Sequence, residues 1–208
     1  MLARATHPFR SPLSPRAALL RPWAGRWTIA LLFFLLLPGL VASQELATEN
    51  PNKVKAAFLR NFAHYITWPA QAFADDRSPW RVCILGRDPF GEVLELTFKG
   101  RTEQGRQFEV FRTDMPNEST PCQIVFVAYG DAAKRRAVLD KLKDKPVLTV
   151  GDAPEFLGEG GVIRFQVEDR VKMSINLDQA RAASLTVQTK MLEVSSEIQE
   201  NGVVRKVR

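Results

Sequence analysis

The segment QIVFVAYG, from Gln123 to Gly130, is apolar at six consecutive positions, Ile124 to Tyr129, most of them β-branched or aromatic. A run of this kind suits a strand covered on both faces, because a strand with one wet face would alternate apolar with polar residues. PVLTVG, ending at Gly151, repeats the pattern. Such strands belong to parallel sheets with helices on each side, which excludes an all-antiparallel meander. WRVCILG and RQFEVFR read as further strands, and helical patterns fall between them: DPFGEVLELTF after the first, DAAKRRAVLDKLK after Gly130 and DAPEFLGEG after Gly151. NPNKVKAAFLRNFAHYITWP is an amphipathic helix, with Val54, Phe58, Leu59, Phe62, Tyr65 and Ile66 at helical spacing and prolines near both ends. In DAAKRRAVLDKLK the inward positions are Ala133, Val138, Leu139 and Leu142. GVIRFQVE and RVKMSIN make an antiparallel hairpin turning near Asp169, and LDQARAASL and KMLEVSSEI are the last helical pieces. The expected fold is α/β: one domain with a layered, largely parallel sheet, helices on both faces and an antiparallel hairpin at one side.

The first 43 residues stand apart. Five arginines and no acid precede the apolar run WTIALLFFLLLPGLVA, and small residues come after it. This is the pattern of a secretory signal, cleaved after Ala42 or Ser43, with an uncleaved anchor as the other reading. The expected organisation is a signal peptide over 1–43 and an α/β domain over 44–208. Removing five arginines from 29 basic residues leaves 24 against 23 acids, a net charge near +1. The basic character therefore belongs to the leader, and the short tail VVRKVR does not make a nucleic-acid arm.

Three strands end alike, in ILGRDPF, VAYGDAA and TVGDAPEF. Glycine permits a sharp exit, and Asp88, Asp131 and Asp152 stand where helix N-caps would. The third continues into a crowd of glycines, Gly158, Gly160 and Gly161, which resembles a phosphate loop at first sight. Yet these glycines come after the expected short helix and lead into a strand, the reverse of a dinucleotide fingerprint. A capping carboxylate also occupies the helix end an anion would need. The stretch reads as a glycine turn.

Catalytic chemistry finds little support. No GxSxG elbow or Walker pattern occurs, and the one histidine after the leader, His64, lies on the first helix. Glu92 with Glu95, and Glu155 with Glu159, fit solvated helix faces as well as an acid/base pair. Two cysteines and one histidine are too few for structural zinc, so no cofactor, metal or catalytic residue is expected. In an exported chain the even pair Cys83 and Cys122 reads first as a disulfide closing a loop that constrains the unfolded state by about 4 kcal/mol. Two buried thiols that never meet are the other reading.

KAAFLRNFAHYITWP, VCILGRDPFG, CQIVFVA, PVLTVGDAPEFLGEGGVIRF and KMSINLDQARAASLTV occur in order across nearly all of the chain after the leader. Together they resemble the YfiR family of small periplasmic regulatory proteins. The resemblance implies an exported α/β domain without enzymatic activity that holds the periplasmic part of an inner-membrane diguanylate cyclase inactive. It implies an outer-membrane lipoprotein that sequesters the repressor. Cys83 and Cys122 match a pair found in some relatives, whereas a second pair near the glycine-rich stretch is absent. The family also occurs beside other sensors such as histidine kinases, so a small-ligand binder reporting to one of those is the alternative. Two surfaces are candidates for the partner: the Trp68-Pro69 corner, and the segment containing Arg170, Asn176, Asp178 and Arg181. A homodimer is also open. Val171, Met173 and Ile175 alternate as in an ordinary strand, and Asn176 or Asp178 would cap the next helix.

Overall fold

The computed structural model describes residues 50–114 and 121–207. The signal peptide expected over 1–43 lies outside them. Thr48–Arg208 clusters as one compact unit. Helix α1 (Pro51–Tyr65) begins as its sequence predicts, with Pro51 in the first turn and the Asn50 side chain accepting the N–H of Asn52. The chain then runs β1 (Ile66–Thr67), β2 (Trp80–Gly86), α2 (Val93–Phe98), β3 (Thr102–Glu103), β4 (Arg106–Thr113), β5 (Ile124–Ala128), α3 (Ala132–Leu142) and β6 (Leu148–Gly151). It finishes with β7 (Ile163–Val167), β8 (Val171–Asn176), α4 (Leu177–Ala182), β9 (Thr186–Val187), α5 (Thr189–Glu193), β10 (Glu197–Glu200) and β11 (Val203–Lys206).

Nine strands form one sheet in the order β11-β10-β8-β7-β6-β5-β2-β4-β3. β4, β2, β5, β6 and β7 are mutually parallel, and β8 with β10 forms a second parallel pair. The hairpin expected at Asp169 joins β7 to β8 in antiparallel register, Phe165 opposite Met173. Alternation along the central strands serves two cores. Val82, Ile84, Ile124, Phe126, Leu148 and Val150 pack under α1, whose Ala56, Leu59, Phe62 and Ala63 are fully buried. Their neighbours Cys83, Leu85, Val125 and Val127 meet Val138, Leu139 and Leu142 of α3 on the opposite face. Helices on both faces thus explain the continuous apolar runs.

Several local expectations are corrected. DAPEFLGEG forms successive turns instead of a helix, closed by the N–H of Gly161 on the Phe156 carbonyl. Phe156 is fully buried, with Gly151 on one side of its ring and Gly161 on the other. A Cβ on Gly151 would lie 2.6 Å from ring carbons, and one on Gly161 closer still. The glycines admit a phenylalanine, not a phosphate. Asp88 caps no helix: it accepts the N–H groups of Phe90 and Gly91 in a turn, and α2 starts later, after Glu92. Asp152 bonds the Lys55 ammonium at 3.1 Å. Only Asp131 acts as the expected cap, accepting the Lys134 N–H at 2.8 Å. On α3, Ala133 is exposed while Arg135 is 4% exposed, its guanidinium forked onto Glu159 at 2.7 and 2.9 Å. KMLEVSSEI divides into α5 and strand β10, and the tail forms β11.

Candidate partner surface

Trp68 is part of the core. Its indole is 8% exposed, stands edge-on to Trp80 at 5.0 Å and donates to the Gln123 carbonyl at 3.2 Å. Gln123, itself buried, accepts the Arg81 N–H and donates to the Ala72 carbonyl at 2.6 Å, so the corner is a hydrogen-bonded hub. A tryptophan with its N–H satisfied by backbone anchors the corner internally, and Pro69, half-buried, is what this corner shows outward.

Arg170 and Asn176 sit at opposite ends of β8, about 20 Å apart at ordinary strand rise. Arg170 is exposed in the β7–β8 turn, whereas Asn176 is 3% exposed and caps α4 through the Gln179 N–H. Asp178 accepts the N–H groups of Asn201 at 2.9 Å and Gly202 at 3.0 Å. Those two residues, both at positive φ, form the tight turn between β10 and β11. The Gly202 and Asn201 N–H groups hold the Asp178 carboxyl below its usual range. Arg181 reaches both Asp178 and Glu200, and Arg205 bonds Glu200 at 2.8 Å. The Arg181 hydrogen bond likewise lowers the Glu200 carboxyl.

The amino ends of β5 and β7 therefore share an end of the sheet with Pro69, Asp178 and Arg181, and Arg170 is left at the other end. The hairpin that completes this end is not among the expected strands, although Asn201-Gly202 is a strong hairpin signal.

The crevice where parallel sheets commonly hold ligands lies between the carboxyl ends of β2 and β5, where the strand order reverses. Here the chain fills it. The Tyr129 ring lies over Gly86, where a Cβ would come within 2.8 Å of it, and the tyrosine hydroxyl donates to the Asp114 carbonyl. Burial and the Asp114 charge push the Tyr129 hydroxyl above its usual range, which keeps it protonated and donating. Below it Phe90 stands edge-on to Phe126 at 4.9 Å. A real cleft opens elsewhere, about 440 Å³ between α1 and α5, walled by Phe58, Phe62, Tyr65, Met173 and Met191. No sequence motif marks it, since it depends on which face of α1 meets α5.

A family model described as YfiR/HmsC-like matches residues 52–196. The chain belongs to that family. No curated protein matches it. The YfiR/HmsC-like family is one of periplasmic regulatory proteins, and the match runs from α1 to the residue before β10, so the clasp of Asp178 on the β10–β11 turn ties the matched stretch to the strands beyond it.

In this YfiR/HmsC-like domain Cys83 and Cys122 form a disulfide across 39 residues. It fastens the middle of β2 to the residue pair that leads into β5, the same hub that holds Trp68. Among the described residues, no group of His, Cys, Asp and Glu is placed to hold a metal, and no helix is long and apolar enough to cross a membrane. Three of the four acids in the acidic pairs have structural partners: Glu95 bonds Arg112, while Glu155 and Glu159 face Arg135; Glu92 is exposed. His64 lies 3.0 Å from Glu103 on an exposed face, and among the described residues no serine, threonine or cysteine is hydrogen-bonded to its ring.

Proposed function

We propose that this protein is exported by a cleaved leader over residues 1–43 and, as the domain 44–208, binds and represses the periplasmic part of an inner-membrane diguanylate cyclase, lowering cyclic di-GMP. The observation that carries this reading is the YfiR/HmsC-like match across residues 52–196. The filled crevice at Tyr129 and Gly86 supports a binding protein over an enzyme. An outer-membrane lipoprotein is the proposed sequestering partner. To hold 99% of a sensor inactive that would otherwise be 99% active, the repressor must prefer the inactive state by about 5.5 kcal/mol. The proposed contact is the sheet end bearing Pro69, Asp178 and Arg181, where charged side chains already held in place lose little entropy on binding. Cellular cyclic di-GMP tests the reading. Deletion of the gene should raise it, and an exported copy should restore it where a leaderless copy does not. An unchanged level on deletion counts against a cyclase partner.

The cleft between α1 and α5 favours a second reading, a small-ligand-binding accessory protein that reports to another sensor such as a histidine kinase. Its walls are aromatic and thioether, with Asn61, Lys190 and Glu193 at the lining, as ligand pockets commonly are. A metabolite that raises the melting temperature with the logarithm of its concentration above the dissociation constant would support this reading.

A further inference from the structure

Asn201-Gly202 is the one place in the chain where glycine follows asparagine. The pair makes the two-residue turn between β10 and β11, with Glu200 opposite Val203 and positive φ at both turn residues, which is type I′ geometry. Both residues are exposed, and a Cβ placed on Gly202 would meet nothing within 4 Å. Among the described residues no hydrogen bond engages the Asn201 side-chain amide. Its carbon can therefore approach the nitrogen of the next residue, and glycine puts no side chain in the way. Other asparagines are placed differently. Asn50 precedes Pro51, which has no N–H to react. Asn52 and Asn61 lie in α1 with their amides engaged, and Asn176 is buried as the cap of α4.

Asp178 restrains the pair. Its carboxylate accepts the Asn201 N–H at 2.9 Å and the Gly202 N–H at 3.0 Å. A hydrogen bond to the Gly202 N–H, and a negative charge beside it, both disfavour the amide anion that cyclisation requires. The restraint lasts only while the hairpin is closed. Among the described residues β11 pairs with β10 alone, and Val203 and Val204 are 59% and 58% exposed, so the strand buries little. An edge of this kind opens locally at low cost in free energy.

We propose that Asn201 is a self-modification site, converting to aspartate and isoaspartate by cyclisation onto Gly202, and that Asp178 sets the rate by withholding the Gly202 N–H. With the clasp open, the Gly202 nitrogen gives up its proton and bonds to Asn201 Cγ as the Cγ–Nδ2 bond breaks. The side-chain nitrogen leaves as ammonia, which takes the equivalent of that proton. Water then opens the cyclic imide, its hydroxyl going to carbon and its hydrogen to the Gly202 nitrogen. Attack at Cγ leaves aspartate; attack at the Asn201 carbonyl carbon leaves isoaspartate, with the backbone routed through Cγ. Nothing is oxidised or reduced. The isoaspartyl form carries an extra methylene in the chain, which the two-residue turn does not accommodate. The change is one-way, and it acts at the end of the sheet that bears Asp178 and Arg181.

The test is peptide mapping by mass spectrometry on protein purified from cells expressing the full-length gene and held at growth temperature, with isoaspartate read by enzymatic carboxyl methylation. Folded protein should convert at residue 201 more slowly than the same protein in urea. The ratio of those rates should equal the protection of the Gly202 amide against hydrogen exchange, because both reactions wait for the same N–H. Asp178→Ala should speed conversion of the folded protein about tenfold and leave the rate in urea unchanged. Folded protein that converts as fast as unfolded overturns the inference, and so does protein that stays intact beyond the time its Gly202 exchange predicts. An Asp178→Ala protein, folded by its melting curve, that converts no faster than wild type overturns it too; a slower rate there would make the carboxylate a base for the reaction. The comparison with hydrogen exchange needs no variant and decides the matter even if Asp178→Ala does not fold.

Discussion

The exits of β5 and β6 both read glycine-aspartate-alanine, at Gly130-Asp131-Ala132 and Gly151-Asp152-Ala153, and they lead to unlike structures. After β5 the aspartate caps an eleven-residue helix. After β6 the same three residues open a run of turns, and the aspartate looks across the sheet end to Lys55. The residues downstream of the motif separate them. AKRRAVLDKL consists mostly of good helix formers, whereas PEFLGEGG places three glycines within seven residues of Pro154, each costing a helix about 1 kcal/mol. Phe156 completes the difference by seating its ring in the space that Gly151 and Gly161 leave. A local start signal becomes a helix only where the next two turns can bury something by being helical.

The largest test of this contrast is Phe156→Ala. It empties a fully buried ring site under α3 and should cost about 4 kcal/mol in denaturant unfolding. If the β6 exit were held by its backbone turns alone, the loss would be under about 1 kcal/mol. Next comes Gly161→Ala, whose new methyl would run into the Phe156 ring, with Gly151→Ala slightly milder at 2.6 Å. Overpacking of this kind costs about 2–3 kcal/mol. Combining either with Phe156→Leu should recover part of the loss, because the collision is with the ring. Additive losses in those double variants would show that the glycines serve the turn conformation instead.

Much of the architecture is legible in the sequence, and the exceptions have physical causes. The apolar runs of β5 and β6 declare a two-sided environment, so the layered sheet and the placement of α1 and α3 follow from them. The hairpin at Asp169 is legible from alternation. The β10–β11 hairpin is not, because Glu197 to Glu200 is too polar to look like a strand. Its signal is the turn, Asn201-Gly202, and its anchor, Asp178, is a long-range partner. Trp68 is a candidate for the partner surface and is found in the core, since an aromatic beside a proline looks the same in both places. Only its bond to the Gln123 carbonyl, 55 residues away, distinguishes the two. For the partner surface, residues close in sequence separate in space: Arg170 and Asn176 bracket one strand.

Third in size is the carboxylate of the β6 exit. Lys55 has 7% of its side chain exposed and Asp152 43%. Asp152→Ala should cost about 2 kcal/mol, less than the roughly 3–5 of a fully buried pair because water reaches the aspartate. Asp152→Asn should cost nearly as much, since a neutral amide leaves the ammonium without a counter-charge. Lys55→Met placed on either background should restore most of the stability. Thermal unfolding of the four proteins decides this, and a neutral Asp152→Asn would mean that Asp152 is only a hydrogen-bond acceptor.

Asp131 gives the smallest effect and the sharpest contrast. Its side chain accepts the Lys134 N–H at 2.8 Å, which satisfies one of the free donors at the start of α3. Asp131→Ala should therefore cost about 1 kcal/mol, or a melting temperature lower by about 3 °C in a chain of this size. Asparagine and serine cap about as well as aspartate, so Asp131→Asn and Asp131→Ser should be close to neutral. The two exits should thus respond oppositely to one chemical change, aspartate to asparagine: tolerated at 131, where a lone pair is needed, and damaging at 152, where a charge is needed. Equal responses at the two positions would erase the distinction between cap and ion pair, and the divergence of the β5 and β6 exits would then rest on Pro154, Phe156 and the glycines alone.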